Sequence, residues 1–369
     1  MTTSEPTGAP ASSFHAVGRA ISSFAEIFDN LSIPDNALDH AEGRRLFWRY
    51  FTIGLEQFVE YTDPAHPAFH QNTRDGVRKF AGDSPTQLYD SAKISAEHSY
   101  VITGSMAETE LIEFGVYSGD LSGQNPTPRR LIDALTEEEL EIAADGTFTL
   151  HLHSAADNSE RAPNTLLMEP DASSLSVRRY LRDPRTDRPR PLQIERTSPA
   201  PPPAPLSGED LDAGVGRAVA FAAHNVELWS KWADNIKATK RNVLASLHDA
   251  GDIYTPKGHS YLDGYWELAD GEVLTVEFRP PAGCYWSFVP MNYWMESFEW
   301  RFDARVYASS FDTTADADGY VRLALAEHDP GLPGHTWLQT LGHREGLMVL
   351  RVARLDGPMP AAATEVIQQ

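Results

Sequence analysis

A strand pattern that occurs twice, at a nearly constant separation, is the strongest constraint on the fold of this chain. Each copy has an Asp-Gly turn followed by alternating apolar residues, with one further alternating segment before it and another after it. The matching segments are residues 145–152 and 318–325, residues 175–179 and 347–351, and residues 114–117 and 288–291, at offsets of 173, 172 and 174 residues. Because all three keep one order and almost one offset, the sequence predicts two copies of a single structural unit.

The repeated unit consists of short strands. Alternation of apolar and polar residues, broken by Gly, Asp and Asn at the turns, indicates half-buried strands. Many short strands with turns between them are typical of β-sandwiches. The predicted strands are residues 100–103, 111–117, 147–153, 175–181 and 192–195 in the first copy, and residues 264–268, 273–279, 285–290, 298–308, 321–327 and 347–353 in the second.

Three segments have helical periodicity instead. Residues 13–30 and 36–61 carry aromatic side chains three or four positions apart, and a third helix is predicted from Ser207, its N-cap, to about residue 248. The apolar face of this third helix is predicted to include Leu228, Trp232, Ile236 and Val243. The chain is therefore expected to be mainly β with helices, as two tandem sandwiches that each follow a long helix.

A proline-rich segment divides the two copies. Five prolines lie between residues 199 and 205, a composition typical of a linker. The predicted organisation is a disordered tail over residues 1–12, helices with the first sandwich over 13–198, a linker over 199–206, and a helix with the second sandwich over 207–369.

Charge and cysteine content restrict the classes of function. The 369 residues include 53 acidic and 31 basic side chains, a formal net charge of −22, which repels nucleic acid and anionic lipid. The single cysteine, Cys284, excludes an intramolecular disulfide and is expected to be a buried, inert thiol. The chain has no signal-peptide pattern and no apolar run near the roughly 20 residues that span a bilayer. We expect a cytoplasmic protein that binds neither nucleic acid nor membrane.

An aromatic run in the second copy is the first candidate for a binding site. Alternation puts Tyr285 on one face of a strand and Trp286 on the other, so one face belongs to the core and the other is free to line a pocket. Core packing accounts for any single aromatic, whereas the density of tryptophans favours a pocket. The expected substrate-binding residues are Tyr285, Trp286, Trp294, Trp300, Trp337 and Arg344.

Two turns in the second copy are the candidates for catalysis. His343 and Glu345 lie between glycines just before a strand, and His328 and Asp329 end the preceding one. If the two turns meet at one end of the sandwich, these side chains supply a base, an acid and an orienting carboxylate. The alternative is that Asp329 caps its turn and the other charged residues are solvated.

Two further pairs have open interpretations. His151 and His153 point to one face of a strand, and Asp157 and Glu160 follow them, but the ligand count for a metal is incomplete, so solvated histidines are expected and no metal is predicted. Arg178-Arg179 is interpreted as forming an internal salt bridge or, alternatively, as supplying a ligand-binding arginine. A dinucleotide or phosphate-loop motif is absent from the sequence, so no cofactor is predicted.

Several short motifs in residues 260–355 resemble the bacterial domain-of-unknown-function 1214 family. They are Gly264-Tyr265-Trp266, Cys284-Tyr285-Trp286, Asp318-Gly319, the residues 328–331, Trp337-Leu338 and the residues 342–346. Thr336 stands where the family would have an asparagine. The resemblance implies jelly-roll-like sandwiches, and it implies no settled activity.

Two classes of function follow from these observations. The first is a soluble protein that binds a small neutral or apolar organic molecule in an aromatic pocket and, if it is an enzyme, transforms it by hydrolase or lyase acid–base chemistry at His343. The second is a non-enzymatic carbohydrate-binding or oligomeric scaffold protein, and a homo-oligomer is compatible with both.

Overall fold

The chain is described by a computed structural model that covers residues 12–74, 76–156, 162–246 and 258–368. The predicted tail at residues 1–12 lies outside the described residues except for its last residue. The helices are α1 (Ser12–Asp29), α2 (Ala37–Leu55), which continues as a π-helical turn (Glu56–Glu60), and α3 (Gly208–Thr239). The strands of the first half are β1 (His70–Gln71), β2 (Gln87–Lys93), β3 (Tyr100–Ser105), β4 (Leu111–Ser118), β5 (Leu131–Thr136), β6 (Thr147–Ser154), β7 (Thr165–Met168), β8 (Ala172–Tyr180) and β9 (Gln193–Arg196). Those of the second half are β10 (Ala245–Ser246), β11 (His259–Glu267), β12 (Glu272–Phe278), β13 (Tyr285–Pro290), β14 (Ala308–Ser309), β15 (Val321–Ala326), β16 (Thr336–Gln339), β17 (Glu345–Ala353) and β18 (Ala362–Gln368).

The two halves have the same strand order. The first half pairs its strands as β1-β2-β8-β4-β5 and β7-β6-β3-β9, and the second as β10-β11-β17-β13-β14 and β16-β15-β12-β18. Each strand of the first half therefore has a counterpart nine strands later. The direction of pairing is repeated as well. In each half one neighbouring pair of strands is parallel, β6 with β7 and β15 with β16. The protein is mainly β with few helices, arranged as sandwich-like pairs of sheets.

Each half has an apolar core between its five-stranded and four-stranded sheets. Alternation along β8 buries Leu175 and Val177 in the first core, and alternation along β17 buries Met348 and Leu350 in the second. The equivalent positions are thus 173 residues apart on these strands. The sequence alignment paired Arg179 with Arg351, which is wrong by one residue. Because successive side chains of a strand point to opposite faces of the sheet, this error assigned the arginine to the wrong face.

The three helices form a common cluster against the outer face of the second five-stranded sheet. Buried residues of α1, α2 and α3 pack there with Tyr265, Val289 and Leu347. Close helix packing depends on glycine, because a Cβ at Gly54 would lie 2.8 Å from the backbone of Ala218. The helices that precede the first sandwich in the chain thus pack on the second sandwich, which differs from the domain division expected from the sequence.

The predicted helices and strands differ from the structure at several ends. α3 ends at Thr239 rather than near residue 248, so Val243 lies beyond the helix and is half exposed. Of the predicted strand 298–308, only Ala308 pairs as a strand, while Phe298, Trp300 and Val306 pack into the second core from irregular segments. Cys284 is partly buried and its Sγ contacts the carbonyl of Arg354 at 3.2 Å. Within the described residues, no helix is both long and apolar enough to cross a membrane.

Candidate functional site

A cavity of about 200 Å³ lies between the outer faces of the two five-stranded sheets. Part of its wall comes from β2, β4 and β8 of the first half, part from β11 and β17 of the second, and part from α3. The lining combines polar side chains with six aromatic ones, which are Phe80, Tyr89, Tyr117, Trp229, Trp232 and Tyr261. This position, where the two sandwiches meet a helix, is typical of small-molecule sites.

Equivalent residues of the two halves face this cavity. Tyr89 is the register partner of Arg178 across β2 and β8, and Tyr261 is the register partner of Arg351 across β11 and β17. All four line the cavity. The Arg178 guanidinium lies 5.4 Å from the ring centre of Tyr89, a cation–π contact. Each sheet therefore contributes one such pair of a tyrosine and an arginine to the same space.

Both arginines have donor groups that no protein atom uses. Nε of Arg178 and Nη1 of Arg351 are buried and have no hydrogen-bond partner. Arg351 donates from Nη2 to the Gly82 carbonyl at 2.8 Å and pairs with no carboxylate of the described residues. The nearest carboxylate to Arg178 is that of Glu113, at 3.7 Å. Because buried donors without acceptors are costly, the cavity is suited to an acceptor group.

Burial and neighbouring charges both affect the pKa of Tyr89. Burial raises the pKa of Tyr89 to about 12, against the lowering effect of Arg351 and Arg178. The hydroxyl of Tyr89 donates to Gln87 at 2.6 Å, while Nε2 of Gln87 has no partner. Tyr89 is accordingly a neutral hydrogen-bonding group at neutral pH.

A larger cleft of about 660 Å³ adjoins the cavity, since Thr73, Asp83 and Gln87 line both. Its lining carries seven cationic side chains and three carboxylates, which contrasts with the net charge of −22: Arg74, Arg78, Lys79, Arg179, Arg185, Arg188 and Arg301 against Asp83, Asp90 and Asp187. Arg185 and Arg188 donate to backbone carbonyls, so no carboxylate neutralises them through those bonds. Glu56 and Glu299 pair with Arg78 and Arg301 from beside the cleft, so the region has a small excess of positive charge in an acidic protein.

The aromatic residues expected to bind substrate are dispersed over several environments. Trp286 lies in the second core, with its ring at 5.0 Å and 83° to that of Phe278. Trp294 packs among the helices and donates from Nε1 to the Asp39 carbonyl at 2.8 Å. Tyr285 donates to or accepts from Thr86 at 2.6 Å between the two halves. Of these aromatic residues, only Trp300 lines the large cleft. Trp337 donates a hydrogen bond from Nε1 to the Ala326 carbonyl at 3.1 Å.

The structure separates most of the residues expected to act in catalysis. His343 is buried, whereas Asp329 is exposed and accepts from the backbone NH of Gly331 at 2.9 Å, as in the alternative interpretation of that turn. Glu345 accepts from the hydroxyl of Tyr265 at 2.6 Å and is paired with Lys237. His328 and Arg344 meet His343 at a pocket of about 50 Å³, where Arg344 is exposed and paired with Asp270.

The hydrogen-bond partner of His343 comes from α2, a segment that the sequence did not connect with it. Nε2 of His343 lies 2.9 Å from Oε2 of Glu42, and Nδ1 lies 2.9 Å from the Thr340 carbonyl. Although burial opposes it, the hydrogen bond and charge of Glu42 raise the pKa of His343. Burial also acts on Glu42, but its contacts with His343 lower the pKa of that carboxyl. Positive φ angles at Leu341 and Gly342 form the turn that carries His343 inward.

The histidine pair on β6 and the arginine pair on β8 were the other candidates from the sequence. His151 and His153 lie on one face of β6 with stacked rings 5.9 Å apart, and Asp157 and Glu160 lie outside the described residues. Arg179 forms a buried salt bridge with Asp90 at 2.8 Å, while its neighbour Arg178 faces the cavity. The signal that could have located the cavity is the recurrence of a tyrosine and an arginine, Tyr89 with Arg178 and Tyr261 with Arg351, which a one-residue error in the alignment concealed.

Comparison with solved structures finds chains of similar fold. A crystal structure of an uncharacterised protein from Burkholderia cenocepacia matches with 29% identity and a TM-score of 0.88, over 96% of this chain and 96% of that one. The VPA0106 protein from Vibrio parahaemolyticus matches with 12% identity and a TM-score of 0.47 over 87% of this chain and 96% of that one. A scan against protein-family models finds no match, and neither does a search of curated proteins.

Proposed function

We propose that this protein binds a small organic acid with a flat apolar body in the cavity between its two halves. The observation that carries the proposal is the pair Arg178 and Arg351, whose buried donors Nε and Nη1 have no partner among the described residues, in a space that also holds Arg129 and the carboxylates of Asp83 and Asp263. A carboxylate would accept from both guanidinium groups, and charge-assisted hydrogen bonds of this kind are about twice as strong as neutral ones. The aromatic lining would cover the apolar body of the ligand.

The volume of the cavity supports a small ligand. A cavity of about 150 Å³ lined by apolar side chains accommodates a benzene molecule. The cavity here, at about 200 Å³, has room for one ring with one acidic group. The sequence favoured a neutral or apolar ligand, and the arginines are the reason for proposing an anionic head group instead.

The basic cleft supports the same ligand class. It shares Thr73, Asp83 and Gln87 with the cavity, so an anion attracted to the cleft is brought to the cavity wall. Positive potential in a cleft raises the local concentration of anions and their association rate. This region would offset the repulsion that the net charge of −22 exerts on an acidic ligand.

The other expectations from the sequence stay proposals. We propose that the common strand order reflects duplication of one jelly-roll-like unit, and that the chain is related to the domain-of-unknown-function 1214 family. Transformation of the bound acid by acid–base chemistry would need groups at the cavity itself, because His343 and Glu345 are not among its lining residues. We therefore propose binding as the function, in a cytoplasmic protein without nucleic-acid or membrane partners.

Isothermal titration with benzoate and benzamide tests the proposal, because the two probes share a ring and differ in charge. We expect benzoate to bind about tenfold or more tightly than benzamide. Arg178→Gln or Arg351→Gln should remove this preference, since each deletes one charge-assisted donor. Arg182→Gln is the matched control, because Arg182 is an exposed arginine paired with Glu110. Equal affinity for the two probes in the wild-type protein would contradict the proposal.

A further inference from the structure

A second cluster of polar side chains lies where α2 meets the loop before β17. Asp39 and Glu42 are three residues apart on α2 and share a face of the helix, which His343 approaches from the loop. Gly43 allows the close approach of the chain segments, because a Cβ there would lie 2.2 Å from the Trp294 ring. None of the three polar residues lines the cavity proposed to bind an acid.

The carboxylate of Asp39 is buried and only partly hydrogen-bonded. Its side chain is fully buried, and Oδ1 has no hydrogen-bond partner, while Oδ2 accepts from the Asn36 amide at 2.5 Å. Among the described residues, no lysine or arginine pairs with this carboxylate. A buried carboxylate without a cation is strongly unfavourable, so this environment is suited to a bound positive ion.

His343 is held as a metal-binding histidine usually is. A backbone carbonyl can only accept, so the 2.9 Å contact with Thr340 assigns the proton to Nδ1 in the neutral ring. Nε2 faces Glu42, so its lone pair becomes available to an ion between the two once the proton that they share is displaced. Glu42 is oriented in turn by the amide of Asn292, which donates to Oε2 at 2.7 Å. Hydrogen bonds of this kind fix the first ligands of metal sites.

The distances between the donor atoms fit one ion. Oxygen and nitrogen ligands lie about 2.0–2.2 Å from a transition metal, so adjacent ligands are about 3 Å apart and opposite ligands about 4 Å apart. Here Nε2 of His343 and Oε2 of Glu42 are 2.9 Å apart, and donor atoms of all three residues lie within 4.8 Å of one another. A small pocket of about 50 Å³, which His343 lines with His328 and Arg344, adjoins the cluster at this histidine.

We propose that Asp39, Glu42 and His343 bind one divalent transition-metal ion. Two carboxylates and one imidazole, without a thiolate, suit Zn²⁺, Mn²⁺, Fe²⁺ or Co²⁺. Three protein ligands leave coordination positions for water at the pocket beside His343. The ion would join α2 to the loop before β17, and this site is independent of the acid-binding cavity.

Titration of the full chain with Co²⁺ after chelator treatment tests the site, because the visible absorption of Co²⁺ reports its coordination. We expect one Co²⁺ per chain, with Zn²⁺ competing for it. Asp39→Asn and His343→Gln should lower the affinity by roughly two orders of magnitude or more. Circular dichroism of the variants establishes that they are folded, and Asp39→Asn is nearly isosteric.

His66→Gln is the matched control, because His66 and Asp63 form an exposed pair at 2.8 Å that offers only two ligands. This variant should bind Co²⁺ as the wild-type protein does. If folded wild-type protein binds none of Co²⁺, Zn²⁺ and Mn²⁺ in a one-to-one ratio, the cluster is a buried ion pair and the proposal is overturned. Binding that survives both Asp39→Asn and His343→Gln would overturn it as well.

Discussion

Arg178 and Arg351 occupy equivalent positions on the central strands of two five-stranded sheets, and each has a tyrosine as its partner on the neighbouring strand. The outer faces of these sheets face each other, so the equivalent arginines meet at one cavity. A structural repeat thereby creates a site with two similar halves. The ligand class proposed above follows from that relationship.

Ser176 and Val349 provide a test of the cavity volume. They occupy equivalent positions on β8 and β17, and both line the cavity. Ser176→Leu should reduce the space available to a ring and weaken benzoate binding about tenfold or more in titration calorimetry. Ser176→Val, which copies the residue of the second half, should bind nearly as the wild-type protein does. Full benzoate affinity in Ser176→Leu would place the ligand elsewhere.

Trp286 was expected to bind substrate and should instead act on stability. It is buried in the core of the second sandwich against Phe278. Trp286→Ala should lower the free energy of unfolding by about 3–5 kcal/mol, measured by urea denaturation. Protein that stays folded should bind benzoate with unchanged affinity. A selective loss of affinity without loss of stability would restore the original interpretation.

Glu113 connects the two halves through a buried network. It accepts from Arg354 at 2.8 Å and from the hydroxyl of Tyr180 at 3.2 Å, and lies 3.1 Å from His259. Glu113→Ala should reduce the free energy of unfolding by about 1–3 kcal/mol, because it removes buried hydrogen bonds, although Arg354 keeps Glu137 and Tyr180 keeps His259 as a partner. Glu110→Ala, which removes an exposed partner of Arg182, should cost less than about 1 kcal/mol. Equal effects of the two changes would contradict this account.

His70 should make stability depend on pH. Burial lowers the pKa of His70 to about 4, with Glu56 opposing and Arg78 and Arg74 reinforcing the shift. In the unfolded chain a histidine titrates near 6.5, so below that pH the unfolded state binds a proton that the folded state does not. Stability is therefore present above about pH 6.5 and is lost as the pH falls towards 4, by roughly 3 kcal/mol.

Urea denaturation across this pH range checks the prediction for His70. In His70→Gln the loss of stability between pH 6.5 and 4 should be smaller than in the wild-type protein. His15→Gln changes an exposed histidine on α1 and is the control, whose profile should match that of the wild-type protein. An identical loss in all three proteins would assign the pH dependence to other groups.

The strands could be predicted from the sequence because their alternation is local. β13 has the expected bounds, and β6 and β17 lie within two residues of theirs. The sites could not be predicted, because they depend on packing between distant elements. Glu42 reaches His343 across 301 residues of sequence, and β8 faces β17 only once both sheets have formed. No local pattern encodes such contacts.

The central claim is that one anionic ligand contacts both arginines, and a double-mutant cycle measures this directly. Benzoate affinity would be determined calorimetrically for the wild-type protein, Arg178→Gln, Arg351→Gln and the double variant. Each single change should weaken binding about tenfold, and the double variant should lose less than the sum, with a coupling free energy above about 0.5 kcal/mol. Single variants that bind benzoate within about twofold of the wild-type protein would contradict the account.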